Sequence, residues 1–284
     1  MMTTRRAKSL MLEVREGTLK GGLPYISVGD GPPLVVFVAG GPSNANPTGW
    51  QRRCEVRWLA SLARGFTVYR VNRKVGLKRG ATMANLADDY AVALEGEFAG
   101  PVDDLSVSTG GMIAQQFAVD HPDLLRRLVL GGPAYRLGPV AREAERRSAM
   151  FAARGDHRRS LAAMAPVFVA SPLAQRLVGG MYWLTAPLAG IGRDWDPSDM
   201  IATIEAEVAF DIGDRLGEIS APTLVICGGR DRAFTPELFR RTAERIPDAR
   251  LIVYEGRGHG GSLRDRRFAR DVVSFLTAEH PVPA

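Results

Sequence analysis

Residues 34–41 read LVVFVAGG, an apolar run with no polar interruption that ends in two glycines. A strand with one solvated face alternates apolar and polar residues, so a run apolar at every position reads as a strand covered on both faces. Such strands belong to parallel sheets with helices above and below, where each parallel neighbour is reached through a crossover, usually a helix. The rest of the chain supplies that alternation. FTVYRVN (66–72) is strand-like, and MANLADDYAVALEGEF (83–98) places Leu86, Tyr90, Ala93 and Leu94 at helical spacing. VDDLSVS (102–108) is strand-like, GGMIAQQFAVDHP (110–122) helix-like, and LRRLVLGGPA (125–134) strand-like again. PTLVICGG (222–229) and RLIVYEG (250–256) repeat the theme, each followed by a helical stretch. Upstream, SLMLEV (9–14) and LPYISVG (23–29) read as two further strands, the first ending near Gly17 and the pair separated by Gly21-Gly22. The expected fold is α/β, a mostly parallel, twisted sheet with helices on both faces.

The alternation stops near Arg136 and resumes after Phe210. The intervening residues are rich in Ala, Arg and Leu and are cut by Pro166, Pro172, Pro187 and Pro197, which predicts a helical insertion. Residues 1–136 and 211–284 are thus expected to form one core, and 137–210 an inserted helical unit. No apolar stretch approaches the ~20 residues of a membrane span. The basic start MMTTRRAKSLMLEV is interrupted by Glu13 and Arg15 before a signal-peptide core can form, so a cytoplasmic location is expected and no membrane partner. The net charge of +6 raises the question of nucleic acid. The arginines are scattered, however, as pairs such as Arg52/Arg53, Arg146/Arg147 and Arg240/Arg241, rather than gathered in one tract with interleaved aromatics, so no nucleic-acid partner is expected. RVNRKVGLKRG (70–80) is the exception, a local positive patch around Arg73, Lys74 and Lys78 that would favour an anionic substrate. Cys54 and Cys227 lack metal-ligand spacing, and no metal is expected.

In open α/β sheets, reactive groups gather at the carboxyl ends of the strands. Ser106 and Ser108 follow one strand, Asp231 follows LVICGGR and His259 follows LIVYEGRG. A serine, an acid and a histidine past the ends of different strands are the parts of a nucleophile, an orienting group and a general base. Of the four histidines, His121 sits beside Pro122 at a helix end, His157 lies among arginines and His280 is in the tail. His259 stands between glycines in GRGHGG, a setting that either aims the imidazole into a cleft or marks a surface turn. Asp231, in GGRDRAFTP, reads as an orienting acid or as a turn residue, although Thr235-Pro236 supplies its own start for the helix PELFRRTAERI. A nucleophile on a sharp strand-to-helix turn needs small residues two before and two after it. Around Ser108 these are Ser106 and Gly110, whereas around Ser106 they would be Asp104 and Ser108, so Ser108 is the candidate and Ser106 the spacer. The N–H groups of Thr109, at the helix start, and of Gly41, in VAGGPSNANPTG, are the candidate donors to an oxyanion.

Taken in order, SVSTGGMIAQQFAVDHPDLLRRLVL, PTLVICGGRDRAFTPELF and ARLIVYEGRGHGG resemble the nucleophile, acid and histidine segments of the α/β-hydrolase superfamily. Ala39-Gly40 stands where that family has His-Gly, and Ser106 where it has the first glycine of its elbow. The resemblance implies a serine hydrolase with a helical cap over 137–210, acting on a small acyl substrate with Ser108, Asp231 and His259 and no cofactor. A carboxylic ester, thioester or lactone is the expected substrate. Other members cleave C–C bonds or amides or transfer acyl groups, and a non-catalytic ligand-binding member of the fold is the reading from another class. A homodimer is left open. Within the insertion, LVGGMYWLTAPLAGIG (177–192) is the most apolar part, and Met181, Tyr182 and Trp183 either line an acyl pocket or pack the insertion onto the core. Glu205 and Glu207 are either solvated or placed to bind a substrate amine.

Overall fold

The computed structural model describes residues 13–189, 191 and 195–278. Most of the expected strand SLMLEV, as well as His280 and the rest of the tail, lies outside the described residues. Eight strands form one sheet: β1 (Val14–Leu19), β2 (Leu23–Val28), β3 (Pro33–Val38), β4 (Thr67–Asn72), β5 (Val102–Val107), β6 (Leu125–Gly131), β7 (Thr223–Gly228) and β8 (Ala249–Tyr254). Their order is β1-β2-β4-β3-β5-β6-β7-β8. β1 with β2 and β2 with β4 are antiparallel, and every later pair is parallel. The first strand lies later than expected, with Gly17 inside it. The reason is the turn: Gly21 and Gly22 take φ of +84° and +88°, which folds Leu19 directly opposite Leu23 and brings Val14 opposite Val28.

β3 shows why an uninterrupted apolar run signals a covered strand. Its Val35 and Phe37 belong to the core under α2 (Met83–Glu97), α3 (Thr109–Asp120) and α9 (Pro236–Arg245), while Leu34 and Val36 belong to the core on the opposite face, under α1 (Gly49–Leu59) and α11 (Phe268–Thr277). Phe37 stacks on Tyr90 at 4.0 Å between centroids and meets Phe117 edge-on at 5.4 Å. α2 starts at Thr82, whose Oγ1 accepts from Asn85 N at 3.2 Å while Asn85 Oδ1 accepts from Thr82 N at 3.1 Å, a reciprocal cap that satisfies two orphan N–H groups.

The strand order sets the location of the site. β4 lies on one side of β3 and β5 on the other, so the connections leave in opposite directions and a crevice opens at the carboxyl ends of β3 and β5. Between β6 and β7 the described residues carry the helices α4 (Pro139–Ala153), α5 (His157–Ala162), α6 (Ala165–Phe168), α7 (Pro172–Thr185) and α8 (Ser198–Ala209). Pro139, Pro166 and Pro172 sit in the first turns of α4, α6 and α7, where their missing N–H costs no helical bond. At the neck of this insertion Arg136 and Asp211 form an isolated antiparallel bridge and an ion pair of 3.3 Å. No helix among the described residues is long and apolar enough to cross a membrane.

Candidate active site

Ser108 sits between β5 and α3 with φ +50° and ψ −123°, the one residue other than glycine with positive φ among those described. A side chain in that region is strained, and the strain holds Oγ above the end of the sheet instead of along the strand. The glycines that follow serve close packing. A Cβ on Gly110 would lie 1.9 Å from the Phe37 carbonyl oxygen, and one on Gly111 would lie 2.3 Å from the Pro133 ring. Gly110 is therefore needed for the approach of α3 to β3, a stronger demand than the small flanking position read from the sequence. Ser106 is fully buried in β5 and makes two hydrogen bonds: its Oγ accepts from Phe37 N at 3.1 Å and donates to Asp104 Oδ2 at 2.9 Å. Burial raises the Asp104 carboxyl well above its ordinary range.

Ser108 Oγ lies 2.9 Å from His259 Nε2, and His259 Nδ1 lies 2.9 Å from Asp231 Oδ2. His259 opens α10 (His259–Ser262), and its ring packs near Phe234 and Phe168, at 5.8 and 6.4 Å between centroids. Asp231 makes the contacts of both readings considered for it. Oδ1 accepts from the N–H groups of Ala233 at 2.8 Å and Phe234 at 3.1 Å, forming a turn, while Oδ2 is left for the imidazole. Thr235 caps α9 itself by accepting from Leu238 N, so Asp231 is not needed there. His121 pairs instead with Asp88 at 2.9 Å, and His157 meets Trp195 edge-on.

The loop after β3 meets the first turn of α3. A Cβ on Gly40 would lie 3.0 Å from Thr109 Oγ1, and Gly41 and Thr109 both line the cavity that holds Ser108. Gly41 has φ +144°, and its carbonyl oxygen accepts from Arg73 Nη2 at 3.0 Å. Arg73, expected in an exposed positive patch, is only 2% exposed and anchors this loop from below. Lys74 pairs with Asp89 at 2.5 Å, and neither lysine of the patch lines the cavity.

The cavity over Ser108 has a volume of about 320 Å³ and is walled by the insertion, with Leu161, Met164, Val167 and Phe168 among its apolar residues. Of Met181, Tyr182 and Trp183, Tyr182 alone lines it. Met181 is exposed, and Trp183 lies under the Arg158 guanidinium at 4.6 Å. Successive helical residues point about 100° apart, so three in a row cannot share one cavity. Glu207 lines the cavity while Glu205 is exposed, and Glu145 of α4 faces the same space. Burial pushes the Glu207 carboxyl up to about 7, opposed by the Thr109 hydrogen bond and by the charges of Arg73 and His259. Burial and the neighbouring Glu207 also raise Glu145 well above the ordinary range. Glu145 carried no signal in the sequence, where it reads as one more charge on an arginine-rich helix.

Comparison with known proteins agrees with this architecture. Pimeloyl-[acyl-carrier protein] methyl ester esterase of Neisseria meningitidis is 26% identical over 185 residues, covering 62% of this chain and 69% of the esterase. A 2-hydroxy-6-oxononadienedioate/2-hydroxy-6-oxononatrienedioate hydrolase of Pseudomonas is 23% identical and covers 96% of this chain and 98% of its own. Among solved structures, the enol-lactonase from Burkholderia xenovorans LB400 superposes with a TM-score of 0.72 at 23% identity, covering 93% of this chain and all of the lactonase. The model of the alpha/beta hydrolase family matches residues 35–271. That match runs from β3 into α11 and takes in the turn at Ser108, the helices between β6 and β7 and the segment that carries His259: the chain belongs to the alpha/beta hydrolase family.

Proposed function

We propose that this chain is a serine hydrolase that cleaves a carboxylic ester, thioester or lactone through an acyl-enzyme. The observation that carries this reading is the unbroken hydrogen-bonded chain from Asp231 through His259 to Ser108, opening into an apolar-walled cavity. Ser108 Oγ attacks the carbonyl carbon while His259 Nε2 takes its proton, and Asp231 holds the imidazole and stabilises the imidazolium. The oxyanion forms beside the N–H groups of Thr109 and Gly41, the first of which has no acceptor within its own helix. His259 then protonates the leaving oxygen or sulfur as the carbonyl reforms. A water, deprotonated by His259, attacks the acyl-enzyme, and the proton returns to Ser108 Oγ as the acid leaves. Tyr182 forms part of the substrate wall. Arg73 positions the Gly41 loop through its carbonyl. The esterase and lactonase named above support an ester or lactone substrate.

A fluorophosphonate probe should label the wild type at Ser108, and Ser108→Ala should lower kcat/KM for a short-chain ester by about 10⁴-fold or more. Labelling that survives the substitution overturns the assignment. The Pseudomonas relative, which spans nearly the whole chain, supports a second reading, C–C bond hydrolysis on the same three residues. Product analysis on a ring-fission dienoate beside the ester separates the two.

A further inference from the structure

A second cavity, of about 410 Å³, lies on the face of the sheet covered by α1 and α11. Val38 and Val107, at the ends of β3 and β5, line both this cavity and the one over Ser108. Gly260, the neighbour of His259, also lines it, so the two spaces adjoin around the strand ends that carry the reactive serine. Its other apolar walls are Trp58, Leu59 and Leu263. Trp58 Nε1 donates to the Leu263 carbonyl oxygen at 3.2 Å, fixing α1 against the loop after α10.

Two arginines face this apolar space. Arg70 of β4 is only 6% exposed. Its Nε lies 2.5 Å from Glu55 Oε2 and its Nη2 donates to Glu55 Oε1 at 3.3 Å, while Nη1 is buried with no hydrogen-bond partner. A buried guanidinium N–H without an acceptor is costly, so Glu55 leaves the Arg70 guanidinium incompletely satisfied. Arg264 is exposed at the rim, has no ion-pair partner among the described residues, and its charge is felt at Tyr182 of the catalytic cavity. Glu55 is the one acid in the lining, and burial holds its carboxyl above the ordinary value despite the adjacent Arg70. Arg70 and Glu55 balance each other, so Arg264 leaves one net positive charge, which suits a monoanion.

We propose that this cavity is a second arm of the substrate site, taking a carboxylate between the guanidinium groups of Arg70 and Arg264 while an apolar link runs past Val38 and Val107 to the carbonyl at Ser108. The substrate class is then an ester, thioester or lactone with a remote carboxylate, such as a half-ester of a dicarboxylic acid. The inference rests on the serine-hydrolase reading for the reacting end only; the anion site stands on its own geometry. Arg70 and Arg264, rather than the patch at Arg73, Lys74 and Lys78, select the charge.

Cys54 lines this cavity and its thiol is exposed, whereas Cys227 is buried, so alkylation of Cys54 by iodoacetamide reports occupancy. In Ser108→Ala protein, which prevents turnover, monomethyl suberate should slow that alkylation about fivefold or more at a concentration where dimethyl suberate has no effect. Arg264→Gln and Arg70→Lys should each abolish the protection. Arg264→Gln, at an exposed side chain, keeps the result readable if Arg70→Lys fails to fold. In the enzyme with Ser108 intact, KM for the monoester should lie about tenfold or more below that for the diester, and Arg264→Gln should close most of that gap by raising the monoester KM. Equal protection by both esters, or protection that survives Arg264→Gln, overturns the proposal. Fluorophosphonate labelling of Ser108 reports separately: charge-selective protection without labelling keeps the anion site and discards the hydrolase reading.

Discussion

The sheet and the helical insertion are both rich in apolar residues and both face the cavity over Ser108, yet they use those residues differently. Every residue of β7 is buried, and β3 is buried throughout except at its ends. In the insertion, Leu173, Leu177, Met181 and Leu184 run along one side of α7, with Leu188 beyond it, and all are exposed, Leu177 and Leu184 by 67% and 68%. Apolar content therefore does not locate the core. In the sheet it is covered on two faces by helices, whereas in the insertion one thin layer of helices has an inner side turned to the cavity and an outer side left in solvent. Stability should reside in the first region and the shape of the site in the second.

The sharpest test of that division is at the seam between α3 and β3. Gly110→Ala would drive a Cβ to 1.9 Å from the Phe37 carbonyl oxygen and should cost ~3 kcal/mol or more in urea unfolding, by forcing the helix off the strand. A loss below ~1 kcal/mol would mean the seam can slide, and the core would be no more rigid than the insertion. The next effect lies where the two regions meet, at Glu145 and Glu207. Burial raises both carboxyls, Glu207 from 4.5 to about 7, so between those values the native protein holds protons that the unfolded chain has released. Stability should then fall as pH rises through that window, by on the order of 3 kcal/mol for Glu207, and Glu145 adds a loss of the same sign. Thermal unfolding between pH 5 and 8 should show the decline in the wild type, and a smaller one in Glu145→Gln and Glu207→Gln. The smallest effect is expected on the outer side of α7, where Leu177→Ser and Leu184→Ser should each shift stability by less than ~0.5 kcal/mol. A large loss there would show that the exposed row is covered in solution.

Legibility followed burial. The covered strands were plain because a strand hidden on both faces has to be apolar at successive positions, and α2 was plain because Leu86, Tyr90, Ala93 and Leu94 are all buried. α1 left no such trace: Leu59 is its one fully buried residue, and arginines occupy much of its surface. Arg73 reads as a surface charge in RVNRKVGLKRG, since nothing local reveals that the loop at Gly41 closes over it. Asp104 and Ser106 read as an acid and a spacer, while their hydrogen bonds depend on β3 lying alongside β5.

The sequence by itself determined the covered strands, α2 and the chain order of Ser108, Asp231 and His259, because backbone preference, apolar periodicity and turn chemistry are local properties. Only the tertiary structure decided that Asp231 keeps one oxygen for the turn and one for His259, that Tyr182 faces the cavity while Met181 and Trp183 do not, and that Arg70 is buried with an unpaired Nη1. Each of those outcomes depends on the packing of residues far apart in the chain, and burial and pairing across such distances leave no mark on the residues themselves.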